Sequence, residues 1–70
     1  MTDDLVDTFI NLKAKVGDTI HIIDMVDEPS YNGKEGIVQT IDDIGQLHGT
    51  WGSCAIIPGL DVYKIIKKGN

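Results

Sequence analysis

The spacing of the apolar residues changes at Gly17, and that change limits the folds open to this chain. Before it, Leu5, Phe9, Leu12 and Val16 recur at intervals of four, three and four, and Val6 and Ile10 widen the same stripe. This is the period of one face of an α-helix, predicted over residues 2 to about 15. Thr2 or Asp3 can cap its start. Asp3, Asp4 and Asp7 lie where the helix dipole favours negative charge, and Lys13 and Lys15 where it favours positive charge. Gly17 ends it. A helix this short is marginal alone in water, so its stripe must pack on something.

From Gly17 onward the period is two. Residues 19–23 read as a strand with Ile20 and Ile22 on one face and Thr19 and His21 on the other. A polar loop over about residues 26–35 holds Pro29, Asn32 and Gly33. Residues 36–41 form the second strand. In Asp42-Asp43-Ile44-Gly45 the carboxylates accept local backbone bonds and glycine takes a positive φ, which makes a turn. Residues 46–51 give the third strand, Gly52-Ser53 a tight hairpin and residues 54–57 the fourth strand. Pro58-Gly59-Leu60 reads as a single helical turn, residues 62–66 as the fifth strand and residues 67–70 as a frayed tail.

Five short strands are too few for a sandwich, and closure into a small barrel limits exposed edges. The order of loops is that of an SH3-like barrel: long loop, short turn, tight hairpin, helical turn. The expected architecture is mainly β, a small five-stranded SH3-like barrel with a short N-terminal α-helix. It is one domain over residues 1–70, with the helix in 1–16, the barrel in 17–66 and the tail in 67–70.

At 70 residues the core is thin and a deep enclosed pocket is not expected, which argues against an enzyme. One cysteine, Cys54, allows no internal disulfide. The opening Thr2-Asp3-Asp4 is unlike a signal peptide, and no apolar run is long enough to span a membrane, so the expected compartment is the cytoplasm. Six basic residues, all lysine, stand against 11 acidic ones, for a net charge of −5. From Asp18 to Asp61 only Lys34 is basic, among eight carboxylates. Such a body repels phosphate backbones.

The candidate chemistry is sparse. Cys54 is in phase with Ile56 and reads as a buried thiol, since a nucleophile needs a nearby base or positive field. His21 and His48 alternate with core residues and face out, without the short spacing of a metal site. Asp42 and Asp43, adjacent at a strand end, point apart and serve a turn better than acid–base catalysis. Trp51 shares a face with Leu47 and Gly49, at the core or barrel rim, and Gly49 can admit a close backbone approach. Tyr31, beside Asp27, Glu28, Ser30 and Asn32, is either a recognition anchor or packed on the barrel. No catalytic constellation, cofactor site or metal site is expected.

One resemblance adds to this. The series runs from Val16-Gly17-Asp18-Thr19-Ile20 through Met25, Asp27 and Gly36-Ile37-Val38 to Ile41-Asp42-Asp43-Ile44-Gly45-Gln46-Leu47-His48. It ends on Trp51, Ile57-Pro58-Gly59 and Asp61. Together these are similar to domain of unknown function 4314, over roughly residues 16–66. That likeness implies a phage or mobile-element origin in Gram-positive bacteria and no particular activity. Many members carry a longer acidic-Asn-Gly hairpin after the tryptophan, where this chain has Gly52-Ser53. The Gly33-Lys34-Glu35-Gly36 stretch also resembles KOW-type barrels, which often touch nucleic acid.

The expected function is a small acidic binding module that engages a protein. One form is an inhibitor of a host nucleic-acid-handling enzyme; the alternative is a KOW-like nucleic-acid accessory protein. Asp24, Asp27, Glu28, Tyr31, Asp42 and Asp43 are the candidate partner-binding residues, with Asp61 among the loop acids around them.

Overall fold

Ile20 and Ile22 fix the inner face of the fold. The computed structural model describes residues 13–69. In it, strand β1 (Thr19–Asp24) buries both isoleucines completely and leaves Thr19 and His21 partly exposed. Alternating β-branched side chains hold this register, because a slip of one residue would turn the isoleucines to water. Strands β2 (Glu35–Ile41), β3 (Leu47–Gly49), β4 (Gly52–Ile56) and β5 (Val62–Lys67) complete one antiparallel sheet in the order β4-β3-β2-β1-β5. A 3-10 turn (Pro29–Tyr31) lies inside the loop between β1 and β2.

The sheet bends at β2. Its first residues, Glu35, Gly36 and Ile37, pair with β1, whereas Val38, Thr40 and Ile41 pair with β3. Register shifts interrupt the β1–β5, β2–β3 and β3–β4 pairings. Such irregularities increase local twist and curl a sheet. The five strands therefore wrap in a barrel-like manner around Ile20, Ile22, Val38, Leu47, Ile56 and Tyr63.

The hairpin after β3 differs from the sequence expectation. Thr50 and Trp51 make the turn, and Gly52, opposite Gly49, already belongs to β4. Trp51 causes the shift. It is 5% exposed, and its Nε1–H donates to the Cys54 carbonyl at 2.7 Å. Its ring lies across Gly49, where an added Cβ would stand 2.3 Å from the ring and 2.3 Å from the Ile37 carbonyl oxygen. The turn is fastened to β2: Ile37 N–H donates to Thr50 Oγ1 at 2.9 Å, and Thr50 N–H donates to the Ile37 carbonyl at 3.1 Å.

The N-terminal helix expected over residues 2 to about 15 lies mostly outside the described residues. Its described end is not helical. Residues 13–15 have no regular structure, and Val16, expected in the apolar stripe, is 59% exposed while Ala14 is buried. The backbone here already serves the barrel: Gly17 N–H donates to the Val38 carbonyl at 2.8 Å, and Val38 N–H to the Asp18 carbonyl at 2.9 Å. The helical turn expected at Pro58 is a hydrogen-bonded turn, in which Leu60 and Asp61 both donate to the Ile57 carbonyl. The tail is not frayed at its start either. Lys67 ends β5, and Gly69 N–H donates to Asp18 Oδ1 at 2.7 Å.

Asp18 thus joins the two ends of the barrel segment. It is buried, and it also accepts from Lys15 N–H at 2.9 Å, with Lys68 Nζ at 3.7 Å. Burial pushes its carboxyl up, but the Lys15 and Gly69 N–H groups and the Lys68 charge outweigh this and hold it below its ordinary value of 3.8. A depressed carboxyl stabilises the fold above its unfolded pKa and loses that contribution as pH falls through its folded one. Urea denaturation of the Asp18→Asn variant is therefore expected to show a shallower loss of stability below about pH 4 than the parent chain. Identical acid limbs would contradict the assignment.

Candidate interaction surface

The acidic loop after β1 is held from two sides. Met25 is buried, and its N–H donates to Asn32 Oδ1 at 2.7 Å. Asn32 Nδ2 in turn donates to Asp24 Oδ1 at 3.4 Å. Asp61 holds the other side. Its Oδ1 accepts from Val26 N–H and its Oδ2 from Ile57 N–H, both at 2.9 Å. Asp61 is only 2% exposed, so it is not one of the acids that meet a ligand, as the sequence led us to expect. It is a buried carboxylate that satisfies backbone donors from two loops and ties them together.

Asp24, the last residue of β1, and Asp27 and Glu28 on this fastened loop remain exposed. Asp27 and Glu28 border a hollow of about 250 Å³ with Met25, Gln46, Cys54 and Ala55. Cys54 is half-buried at its wall and not sealed in the core, because β4 turns inward only at Ile56. Nothing in the sequence placed Gln46 or Ala55 beside the acidic loop; closure of the sheet brings them there.

Tyr31 is half-buried and packed against the core. Its ring occupies the space beside Gly52, where an added Cβ would come within 2.6 Å of it. Lys34 Nζ lies 5.6 Å from the ring centroid, a cation–π arrangement. The residue props the long loop against the start of β4 and keeps one edge open to solvent.

Asp42 and Asp43 sit apart from the acidic loop, in the β2–β3 turn. Asp42 Oδ1 accepts from Ile44 N–H at 3.1 Å and Gln46 N–H at 2.8 Å, which is the local bonding expected of a turn. Its Oδ2 lies 2.9 Å from His48 Nε2. The His48 side chain, then the Gln46 and Ile44 N–H groups, hold the Asp42 carboxyl below its ordinary value against a small desolvation. Asp43 is exposed. His21 is likewise outward, with Nδ1 2.9 Å from Glu35 Oε2 across the β1–β2 pairing. Among the described residues no group of three or more His, Cys, Asp or Glu is placed to hold a metal, and no helix is long and apolar enough to cross a membrane.

A second hollow, of about 420 Å³, runs from the Asp42–Gly45 turn to Ala14, walled by Ile41, Ile44, Leu47 and Tyr63. Gln46 and Ile57 border both hollows, which makes them neighbours.

These features define a small, mainly β, barrel-like protein whose distinctive surface is one braced acidic loop and two adjoining shallow hollows. The chain belongs to a family of unknown function: residues 7–66 match the family described as Domain of unknown function (DUF4314). No curated protein and no solved structure matches it.

Proposed function

We propose that this chain is a non-enzymatic, SH3-like binding module that engages a basic protein surface through Asp24, Asp27 and Glu28. The observation that carries the reading is the bracing of the acidic loop by the buried Asp61. Three exposed carboxylates stand on a backbone that two other segments hold in place. A fixed acidic array steers a basic partner and repels nucleic acid. The SH3-like reading is supported by the strand order and by the division of β2 between β1 and β3. The setting is the cytoplasm of a Gram-positive bacterium carrying a phage or mobile element. A host protein that normally holds nucleic acid is the partner class that fits, because its surface is already basic.

The test is a pair of measurements. Immobilised full-length chain should capture a basic host protein, and the Asp27→Lys, Glu28→Lys double variant should bind it with an association rate reduced about tenfold and a smaller salt dependence. The same chain should bind neither duplex nor single-stranded DNA or RNA at about 0.1 M salt. Micromolar nucleic-acid binding that weakens steeply with salt would overturn the proposal in favour of a KOW-like role.

A further inference from the structure

We infer that the two adjoining hollows form one groove, which takes a short segment of a protein partner in which a large apolar side chain lies close to an arginine. This rests on the acidic-loop reading and deepens it, by naming what the partner brings besides positive charge. The larger hollow, of about 420 Å³, is the apolar half, walled by Ile41, Ile44, Leu47, Ile57 and Tyr63. Ile44 at its border is 78% exposed, so the fold itself gains little from that side chain. The turn that carries it is closed by polar bonds instead, with Asp42 Oδ1 accepting from the Ile44 and Gln46 N–H groups. An isoleucine held out in this way, beside a concavity, gains when an apolar group covers it.

The smaller hollow, of about 250 Å³, is the charged half. Met25, Cys54 and Ala55 give it an apolar wall, and the exposed Asp27 and Glu28 lie on its rim. The Asp61 carboxylate also borders it and adds negative charge, although both its oxygens already accept backbone N–H groups. Arginine matches this lining. Its methylene stem can lie on apolar atoms while the head meets carboxylates. Its planar fork can reach two acceptors at once, whereas lysine is a more strongly hydrated point charge. The only charged residue lining the larger hollow is Lys13. Charge therefore directs the arginine to the smaller hollow and leaves the larger one to the apolar side chain.

Gln46 and Ile57 line both hollows, so a single segment can occupy the two together. The divide between them is fixed. Ile57 N–H donates to Asp61 Oδ2, and the Ile57 carbonyl accepts from the Leu60 and Asp61 N–H groups. Two modest contacts carried on one segment reinforce each other, because the first raises the effective concentration of the second. The acidic loop alone would attract any basic surface; the apolar hollow beside it selects among them.

The test uses the full chain, with methyl and amide signals followed by NMR. The probes are capped peptides that carry phenylalanine and arginine separated by zero to three glycines. At least one should bind about tenfold or more tightly than acetyl-phenylalanine amide or acetyl-arginine amide alone. It should shift the Ile41 and Ile44 methyls together with the Asp27, Glu28 and Cys54 amides. Citrulline in place of arginine keeps the shape, removes the charge and should cancel the gain; lysine should weaken it severalfold. Ile44→Ser should cancel the gain from the protein side. Shifts confined to the Asp27 and Glu28 side, with Ile44→Ser without effect, would overturn the groove and leave the acidic-surface reading standing. A gain that survives citrulline, or is equal for lysine, would overturn the assignment of arginine. If no probe shifts either set of signals, the groove is overturned, and capture of a basic host protein then decides the acidic-surface reading by itself.

Discussion

A Gly49→Ala variant is expected to lose most of its stability and to be partly unfolded at room temperature. The added Cβ would stand 2.3 Å from the Ile37 carbonyl oxygen, and 2.3 Å and 2.7 Å from two atoms of the Trp51 ring. Neither obstacle can move freely. Ile37 precedes Val38, which pairs with Gly49 itself, and the carbonyl accepts the Thr50 N–H. The indole is held by its bond to the Cys54 carbonyl and is buried in the core. Relief would require separating β2 from β3 or expelling the ring. Overpacking of this kind costs about 3 kcal/mol. A core of this size supplies only roughly 3–5 kcal/mol in total. Trp51 is the sole tryptophan, so its fluorescence reads the outcome directly. The expected emission is shifted from the parent's toward that of a solvent-exposed indole, with a melting temperature well below the parent's. Native-like emission with a melting temperature within a few degrees of the parent would show that ring and strand yield more easily than their contacts imply.

Gly49 and Trp51 also mark where the sequence was readable. A glycine two residues before a tryptophan, in phase with Leu47, was enough to expect a close approach and a buried or rim indole. The alternation Thr19-Ile20-His21-Ile22 gave β1 its inner face, and the Asp42–Gly45 turn was legible because its bonds are local. Both depend on neighbours within a few residues. The hairpin was misplaced because Gly52-Ser53 has turn chemistry, whereas the true turn is set by the Trp51 ring folding back over a distant strand. Val16 was misplaced for the same kind of reason. The helical spacing of apolar residues runs on to Val16 in the sequence, but nothing local announces that the Gly17 N–H bonds the Val38 carbonyl and draws the preceding residues to the barrel.

The carboxylates were the least legible of all. An aspartate in a polar loop reads the same whether it faces water or caps an amide far away in sequence. Asp18 reaches Gly69 and Asp61 reaches Val26, and only closure of the barrel makes these neighbours. The acidic middle of the chain therefore divides into structural and exposed acids, a division that net charge cannot reveal. Of the candidate residues, Asp24 ends β1 and Asp27 and Glu28 lie on the loop that follows it, while Asp42 and Asp43 belong to another turn and Tyr31 props the loop from behind.

Asp61→Ala and Asp27→Ala make this division measurable. The two acids lie near one hollow and carry the same charge, yet opposite results are expected. Removing the Asp61 carboxylate leaves the part-buried Val26 and Ile57 N–H groups without their acceptor. Losing two charge-assisted bonds, with donors stranded, costs about 3 kcal/mol. The urea midpoint should fall sharply, and hydrogen exchange at Val26 and Ile57 should accelerate more than at Ile20 or Ile22 in the sheet centre. Asp61→Asn keeps one carbonyl oxygen and can satisfy only one of the two donors at full strength, so its loss should be intermediate. Asp27 is exposed, and its replacement by alanine should change stability by no more than about 0.5 kcal/mol. Its effect should appear instead in the rate at which a basic partner associates. If Asp61→Ala melts like the parent with both amides still protected, the loop is held by Asn32 and Met25 alone. The bracing that presents the acidic surface would then have to be reassigned to them.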